Sequence, residues 1–355
     1  MTTGDEEKSA MATGDVAADN TVARFSGNGV IAFDKVDLGP VPPGEVRLRV
    51  EVCALCGSDK RLLAAGSPVV PGHEIAGVVV DVGDAGGPAD AAGHAVRVGT
   101  RGIVYIPVYC GSCAQCAKGR TNRCLRLGEL IGWQRDGGFA DYVDVPARCV
   151  IPVPDDIGLD VAVLGLDTVG TAAHGLRMAL ATQPDPPQRL LVVGCGPLGL
   201  GVVAVAQQLG VPEVHAFDPN DARLALARAG GARQATDVDS ENQYDIAVEV
   251  SGAEPARELA QRVIVPGGAV LALGESNSPY TMPATPRWRR TDCFTVRSFY
   301  FPLDEVADNW ELLRRCGPTL RDRLATPLTL PDLPEAFESF AAGDQLKPFI
   351  VHTAH

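Results

Sequence analysis

Thiol, imidazole and carboxylate groups come together in one short stretch of this 355-residue sequence, from Cys56 to Glu74. The stretch begins Cys-Gly-Ser-Asp at residues 56–59 and ends Pro-Gly-His-Glu at residues 71–74. These are the side-chain types that bind zinc, and a catalytic zinc takes three protein ligands and keeps one position open. Either Cys56 or His73 alone would suit a buried free cysteine or an ordinary turn histidine. Their combination favours two ligands of a metal site.

Four further cysteines lie in a single loop, at positions Cys110, Cys113, Cys116 and Cys124. Four thiolates at this spacing can surround one tetrahedral zinc with no open position, so the loop predicts a structural zinc site. The loop is polar and rich in glycine, and it offers little that could form a core without a metal. Two disulfides or four free thiols are the alternative, which a long chain without a signal-peptide pattern disfavours.

A glycine-rich turn forms a third candidate site. An apolar strand at 189–193 runs into Gly194-Cys195-Gly196-Pro197-Leu198-Gly199, and an apolar helix follows. This G-x-G-x-x-G pattern stands in the strand–turn–helix context that it requires, and it predicts a dinucleotide pyrophosphate at the helix N-terminus. The next strand ends at Asp218, where an acid accepts hydrogen bonds from ribose hydroxyls and repels a 2′-phosphate. NAD is therefore favoured over NADP.

The elements that must position these residues follow two patterns. Up to residue 152 the sequence predicts short strands, at 22–25, 29–35, 45–52, 75–82, 103–107, 137–143 and 149–152. Later strands at 189–193, 213–217, 245–250, 269–274 and 294–299 alternate with helices at 197–209, 219–229, 254–263 and 302–315, as in a parallel doubly wound sheet. A helix at 333–342 and a strand at 347–351 follow.

A single helix is predicted over 160–181, between the two patterns, and it carries one acid, Asp167, among apolar residues. A buried acid is costly unless it is paired or binds a metal. The alternative is an acid on a solvent-exposed helix face, which is common. Asp167 is therefore a further candidate ligand whose burial decides its interpretation.

Composition limits the classes of function. The net charge of −13 argues against sequence-independent nucleic-acid binding, which needs a basic surface. No apolar run approaches the ~18 residues of a membrane span, and no signal-peptide pattern is present, so a soluble, cytoplasmic protein is expected. The hydrophobic content of 46% is ample for two packed domains. Residues 1–20 are small, polar and acidic, and they predict a disordered tail.

Together these motifs resemble the zinc-dependent medium-chain alcohol dehydrogenases, from Thr21 to the C-terminus. The resemblance implies an α/β fold: a GroES-like β-barrel catalytic domain, a Rossmann coenzyme domain with a doubly wound parallel sheet, and an active site in the cleft between them. The implied boundaries are 21–165 for the catalytic domain with a structural zinc lobe at 109–125, 166–305 for the NAD-binding domain, and 306–355 for a return to the catalytic domain. Members of the family are typically dimers or tetramers, so a homodimer or homotetramer is expected.

The resemblance also implies roles for individual residues. Cys56, His73 and Asp167 correspond to three ligands of a catalytic zinc, beside the structural zinc of the four cysteines. Four residues correspond to groups that act around the reacting atoms: Asp59, which orients His73; Glu74, an acid close behind the zinc; Ser58, which takes the alcohol proton; and Thr171, on the nicotinamide side. The candidate cofactor-binding residues are Gly194, Gly196, Pro197, Leu198, Gly199, Asp218, Arg223 and Gly274.

The implied reaction is the zinc-dependent, NAD-linked interconversion of a secondary alcohol and its ketone. An oxygen ligand such as Asp167 resembles the polyol and sugar branch of the family. Trp133 and Gln134 could contact hydroxyls, so a polyol, sugar or cyclitol substrate is expected. Arg61 stands where many relatives carry the histidine that ends the proton relay, and arginine does not release protons near neutral pH.

Other functions remain open from the sequence. The chain could oxidise simple aliphatic or aromatic alcohols or reduce aldehydes. It could also be a non-catalytic relative that retains NAD binding. A zinc-free quinone or enoyl reductase of the same superfamily would lack both Cys56 with His73 and the four-cysteine loop, which are present here.

Overall fold

The computed structural model describes residues 19–83, 87–236, 238 and 240–352. The strands among these residues are β1 (Asp19–Gly27), β2 (Val30–Asp37), β3 (Glu45–Ala54), β4 (Glu74–Val82), β5 (Arg101–Val104), β6 (Tyr142–Pro146), β7 (Val150–Pro152), β8 (Arg189–Val193), β9 (Glu213–Phe217), β10 (Arg233–Gln234), β11 (Tyr244–Glu249), β12 (Ile264–Ala272), β13 (Phe294–Arg297), β14 (Ala325–Leu328) and β15 (Lys347–Val351). The helices are α1 (Asp59–Ala65), α2 (Leu159–Ala162), α3 (Ala172–Leu180), α4 (Pro197–Gln208), α5 (Asp221–Ala229), α6 (Glu254–Val263), α7 (Val306–Leu324) and α8 (Leu333–Ala342).

The first sheet collects the N-terminal strands and the C-terminal end of the chain. Its order is β14-β15-β3-β4-β5-β7, and β6 also pairs with β3. β3 and β4 are antiparallel, with Ala54 opposite Glu74. Cys56, just after β3, and His73, just before β4, therefore leave the sheet at the same end. This pairing explains why two residues seventeen positions apart in the sequence share one site.

The second sheet is parallel throughout, with the order β10-β9-β8-β11-β12-β13. The chain moves outward from β8 to β10 on one side, then returns to β11 on the other. Such a reversal opens a crevice at the carboxyl ends of the two central strands, where ligands bind in doubly wound folds. The glycine-rich turn follows β8 directly, so the prediction of a doubly wound parallel sheet is confirmed.

The single helix predicted over 160–181 is wrong. α2 ends at Ala162, a 3₁₀ turn (Val163–Gly165) and a π-helical turn (Asp167–Thr171) follow, and α3 begins at Ala172. The Thr171 N–H donates to the Leu166 carbonyl at 3.2 Å, which is the wider π spacing. A Cβ at Gly170 would lie 2.5 Å from the Gly165 carbonyl oxygen, so close packing keeps this distorted segment in place. π-helical turns occur frequently at functional sites.

Smaller differences between the prediction and the structure concern the residues at which strands and helices begin and end. The strands predicted at 103–107 and 137–143 are displaced, since β5 covers Arg101–Val104 and β6 covers Tyr142–Pro146. The helix predicted at 302–315 begins later and runs on to Leu324 as α7, with Pro318 inside it. Of the predicted tail at 1–20, residues 1–18 lie outside the described residues, and β1 begins at Asp19. Across the described residues, none of the helices combines the length and apolar character that crossing a membrane requires.

Candidate active site

Three potential metal ligands meet at the end of the first sheet. The Asp167 Oδ2 atom lies 3.4 Å from the Cys56 Sγ atom and 3.4 Å from the His73 Nε2 atom. With Glu74, the ligand atoms of all four side chains lie within 4.8 Å of one another. The break after Leu166 is what brings Asp167 to this place, because it interrupts the helix at the residue before the acid. The structure therefore brings together the three residues that the sequence suggested.

Asp59 contacts the backbone of Cys56 and the side chain of His73. It is the first residue of α1 and is fully buried. Its Oδ2 atom accepts a hydrogen bond of 2.9 Å from the Cys56 N–H, and its Oδ1 atom lies 3.0 Å from the His73 Nδ1 atom. A carboxylate at Nδ1 leaves Nε2 of His73 directed at the cluster, as a carboxylate does for histidine ligands of metals.

The cluster holds an excess of groups that become negative on ionisation. Burial and the nearby Asp167 carboxylate raise the pKa of the Cys56 thiol. Burial alone would lower the pKa of His73, but Asp59, together with hydrogen bonds to Asp167 and Cys56, raises it well above its usual value. Burial opposes ionisation of Asp167, yet contacts with His73 lower its pKa overall. A divalent cation would neutralise this concentration of charge, and the sulfur, nitrogen and oxygen donors suit zinc.

Glu74 forms a buried ion pair that the sequence analysis did not anticipate. Its Oε1 atom accepts a hydrogen bond of 2.6 Å from Lys347 Nζ, and both side chains are almost fully buried, at 0% and 2% exposure. Lys347 also donates to the Leu55 carbonyl at 3.3 Å. Burial raises the pKa of Glu74 to about 7 although Lys347 opposes the shift. Burial alone would lower the pKa of Lys347, but Glu74 raises it. A lysine at the start of the apolar strand 347–351 was the available signal.

The four cysteines of the loop are free thiols gathered at one point. Three of their Sγ–Sγ separations are 4.0 Å, 3.5 Å and 4.0 Å, for the pairs Cys110–Cys116, Cys113–Cys116 and Cys113–Cys124. A zinc with Zn–S bonds of ~2.3 Å requires separations of roughly 3.8 Å at the corners of a tetrahedron. Backbone N–H groups of Ser112 and Cys113, with help from Cys124 and Arg126, lower the pKa of Cys110 to about 5. The loop therefore fits a closed zinc site.

We expect Cys116→Ser to remove one zinc ion per chain, because three thiolates and a hydroxyl bind zinc far more weakly than four thiolates. The loop should then become sensitive to proteases, since metal binding supplies much of the folding energy of such a segment. Metal analysis by mass spectrometry and limited proteolysis measure both effects. Cys293→Ser, at a partly exposed cysteine far from the loop in sequence, is the matched control. Full zinc content in Cys116→Ser would show that the loop does not bind the metal.

The glycine-rich turn has the geometry that a dinucleotide needs. Gly194 has φ +104°, and a Cβ at Gly199 would lie 1.9 Å from the Gly194 carbonyl oxygen, so neither position accepts a side chain. No atom lies within 4 Å of the Cβ position of Gly196, which leaves room for a phosphate. α4 begins at Pro197, followed by Leu198, so the free N–H groups of its first turn face this space.

Asp218 is held against the same turn. Its Oδ2 atom accepts a hydrogen bond of 2.7 Å from the Cys195 N–H, and its Oδ1 atom accepts one of 2.8 Å from the Asn220 N–H. Each carboxylate oxygen can accept a second hydrogen bond, so Asp218 can still receive ribose hydroxyls. Burial lowers the pKa of Lys60, and the nearby Arg223, which lies in α5, lowers it further. Lys60, in α1, and Arg223 therefore lie close enough for their charges to repel.

The other candidate residues occupy less defined positions. Ser58 immediately precedes α1, next to Asp59. Thr171 ends the π-helical turn, and its buried Oγ1 atom has no hydrogen-bond partner among the described residues. Gly274 follows β12 and donates its N–H to the Glu249 carbonyl at 3.0 Å. The roles of these three residues stay predictions.

Of the two residues expected on the cleft wall, Trp133 lies beside the cluster and Gln134 does not face a substrate through its amide oxygen. The Trp133 ring centroid lies 5.9 Å from that of His73, so the indole borders the cluster. The Gln134 Oε1 atom instead accepts a hydrogen bond of 2.9 Å from the Leu130 N–H, and the amide stabilises its own loop. The Arg61 guanidinium stacks over Trp133, 5.1 Å from its ring centroid, and pairs with Glu275. These two contacts of Arg61 were not expected from its position in the sequence.

Comparison with known proteins agrees with this arrangement. The family described as "Alcohol dehydrogenase GroES-like domain" matches residues 42–155. L-threonine 3-dehydrogenase from Mesorhizobium japonicum is 30% identical over 265 residues, which are 69% of this chain and 73% of the relative. The same enzyme from Sinorhizobium medicae is 32% identical over 264 residues, covering 68% and 72%. The chain belongs to the medium-chain dehydrogenase family.

Solved structures of this family share the fold. An alcohol dehydrogenase from Thermus sp. ATN1 matches with a TM-score of 0.83 over 94% of this chain and 100% of that chain, at 24% identity. The expected α/β fold, with a GroES-like domain and a Rossmann-like parallel sheet, is therefore confirmed. As a medium-chain dehydrogenase, the protein is an oxidoreductase of the class that acts on CH–OH groups.

Proposed function

We propose that this medium-chain dehydrogenase uses zinc and NAD to interconvert a secondary alcohol and its ketone. The observation that carries the proposal is the meeting of Cys56 Sγ, His73 Nε2 and Asp167 Oδ2, with 3.4 Å from the acid to each of the other two. Three donors of different kinds, with a buried carboxylate at the other ring nitrogen of the histidine, are typical of a catalytic zinc site with an open position. The four-cysteine loop would hold a second, structural zinc.

In this mechanism the chain's own residues hold the reactants and move one proton. Cys56, His73 and Asp167 would hold the zinc, which as a Lewis acid lowers the pKa of the substrate alcohol. The turn from Gly194 to Gly199 and Asp218 would hold NAD, whose nicotinamide accepts the hydride. Asp59, 3.0 Å from Nδ1 of His73, would hold a ring proton on Nδ1, so that the Nε2 atom is the one that would bind the zinc.

The proton of the alcohol would leave through Ser58, the hydroxyl nearest in sequence to the ligand Cys56. Arg61, three residues further, stays protonated and cannot accept it. The proton must then pass from Ser58 to water or to another group. Glu74 would act beside the metal as an acid whose position is fixed by Lys347, 2.6 Å away.

The oxygen ligand Asp167 favours a polyhydroxylated secondary alcohol: a polyol, a sugar or a cyclitol. The cleft wall adds little support for a polyol, because the Gln134 side chain is hydrogen-bonded to its own loop. A second candidate is a β-hydroxy amino acid, since the relatives at 30% and 32% identity are L-threonine 3-dehydrogenases. Both candidates are secondary alcohols and would use the same hydride transfer.

A substrate panel tests the proposal directly. The purified zinc-loaded enzyme is mixed with NAD or NADP and with simple alcohols, alditols, hydroxy acids or L-threonine, and reduced cofactor is followed by absorbance. We expect about two zinc ions per chain and turnover of at least one secondary alcohol. Absence of turnover with all of these alcohols, or a zinc content near one per chain, would contradict the proposal. Much faster oxidation of simple aliphatic alcohols than of any polyol would reject the polyol class.

We expect Asp218→Asn to shift cofactor preference toward NADP. The variant loses the charge that repels a 2′-phosphate and one acceptor for the backbone N–H groups of Cys195 and Asn220. The ratio of kcat/KM for NAD to that for NADP should fall by at least about tenfold, since a lost hydrogen bond to a charged group costs ~1.5–3 kcal/mol.

Asp221→Asn is the matched control for this substitution, because Asp221 is an exposed acid three residues after Asp218, in the first turn of α5. Its cofactor ratio should equal that of the unmodified enzyme. An unchanged ratio in Asp218→Asn as well would show that Asp218 does not select the cofactor.

A further inference from the structure

Arg61 joins the two halves of the cleft. It lies in α1, five residues after Cys56, and its Nη2 atom pairs with the Glu275 Oε2 atom. Glu275 comes directly after Gly274, beyond the end of β12 in the parallel sheet. The ion pair therefore connects the part of the chain that carries the zinc ligands with the part that carries the glycine-rich turn.

Trp133 links Arg61 to the candidate metal site. The indole is close to both the guanidinium and the imidazole, with its ring centroid 5.1 Å from Arg61 Cζ and 5.9 Å from the His73 ring centroid. A single aromatic side chain thus forms a wall that borders both His73 and Arg61. A substrate with its hydroxyl beside His73 would extend along this wall toward the guanidinium.

The ion pair between Arg61 and Glu275 is weak enough for another anion to take the place of Glu275. Its side chain is 45% exposed and that of Glu275 is 53% exposed, and ion pairs between such exposed groups contribute little to stability. Among the described residues, the Glu275 side chain has no other hydrogen-bonding partner. A guanidinium held over an aromatic face keeps its fork of N–H donors directed sideways, where it can bind a carboxylate through two parallel hydrogen bonds.

We propose that Arg61 determines substrate specificity by binding a carboxylate on the secondary alcohol, displacing Glu275. This inference rests on the proposed dehydrogenase function and narrows its substrate class to hydroxy acids. The class includes acids derived from sugars, which keep the polyol character, and β-hydroxy amino acids. A neutral alcohol would leave Arg61 paired with Glu275 and would gain nothing from it.

Glu275 has a separate role for each kind of acid. A hydroxy acid without an amino group competes with Glu275 for Arg61, so the glutamate weakens binding. An amino acid brings an ammonium group that can pair with the displaced Glu275 while its carboxylate pairs with Arg61. The sign of the effect of removing Glu275 therefore reports which acid the site is built for.

The test compares matched pairs of substrates, one with a carboxylate and one without: gluconate with sorbitol, 3-hydroxybutyrate with its amide, and L-threonine with its amide. In the unmodified enzyme we expect kcat/KM to favour the acid in at least one pair. In Arg61→Gln the ratio of kcat/KM for acid over neutral partner should fall at least about tenfold, mainly through KM. Arg61→Lys keeps the positive charge but loses the forked pair of N–H donors. Its acid-to-neutral ratio of kcat/KM should lie between those of the unmodified enzyme and Arg61→Gln.

Glu275→Gln should lower KM for the hydroxy acids without an amino group. A rise of KM for L-threonine in the same variant would support the amino acid, and a fall would support a plain hydroxy acid. If Glu275→Gln leaves the KM of every acid unchanged, the proposed displacement of Glu275 by the substrate carboxylate is wrong. Arg314→Gln is the control, because Arg314 is another half-exposed arginine, paired with Asp156 away from the cleft, and its ratios should stay unchanged.

Binding of NADH, measured by fluorescence, separates a substrate contact from a cofactor contact. If Arg61→Gln raises the Kd for NADH and leaves the acid-to-neutral ratios unchanged, Arg61 binds the cofactor and the inference is wrong. Equal turnover of acids and neutral partners by an active unmodified enzyme also overturns it. An enzyme that oxidises no alcohol at all refutes the proposed dehydrogenase function instead, so the two failures are distinguishable.

Discussion

Replacing Asp167 by Asn should remove one of about two zinc ions per chain and reduce activity at least about a hundredfold. Asp167 lies 3.4 Å from both Cys56 Sγ and His73 Nε2, and we propose it as the third ligand of the catalytic zinc. The amide that replaces it has similar size but no charge, and it is a poor zinc ligand. Loss of a residue that only orients a ligand costs ~10–100-fold, so loss of a ligand should cost more.

The prediction is informative because only one of the two zinc ions should be lost. The four-cysteine loop does not involve Asp167, so its zinc should remain and the count should fall to about one per chain. Asp160→Asn is the matched control, since Asp160 is an acid seven residues earlier that pairs with Arg321 at the surface. Metal analysis and steady-state kinetics are measured on both variants. Full zinc content with retained activity in Asp167→Asn would show that another group is the third ligand.

The parts of the site that could be predicted from the sequence are those fixed by local spacing. Cys56 follows one strand and His73 precedes the next, and these two strands pair with each other. The two ligands are therefore close in the sequence as well as in space. The turn from Gly194 to Gly199 is likewise a local structure, because each glycine meets a requirement within the same strand–turn–helix unit. The four cysteines share one loop. In each case the chemistry depends on residues close together in the chain.

The parts that could not be predicted depend on packing between distant segments. The helix expected over 160–181 has apolar residues at helical spacing, but in the structure it is interrupted where Gly170 packs closely against the Gly165 carbonyl and Phe301. Helix propensity is a weak preference that tertiary contacts can override. The Arg61–Glu275 pair joins residues 214 positions apart. No pattern in a single sequence indicates such a pair.

Lys347 is the most distant residue that the structure brings to the site, and replacing it by Met should lower the free energy of unfolding by about 3–5 kcal/mol. It lies 273 positions from Glu74 in the sequence, and both side chains are almost fully buried. The substitution keeps the apolar volume of the side chain and leaves Glu74 buried without a positive partner. Removing one member of a buried pair is strongly destabilising, because the remaining charge has lost both its partner and its water.

Two further variants show whether the pair itself is responsible. The double variant Glu74→Gln with Lys347→Met should recover much of the loss, since replacing both members of a buried pair is often nearly neutral. Lys35→Met removes an exposed lysine, paired with Asp19, and should change stability by less than about 0.5 kcal/mol. Urea unfolding at a fixed zinc concentration measures all three, because bound metal itself adds to apparent stability. Equal stability of Lys347→Met and the unmodified enzyme would show that the pair contributes nothing to the fold, and β15 would then be held to β3 by its backbone hydrogen bonds and its apolar side chains alone.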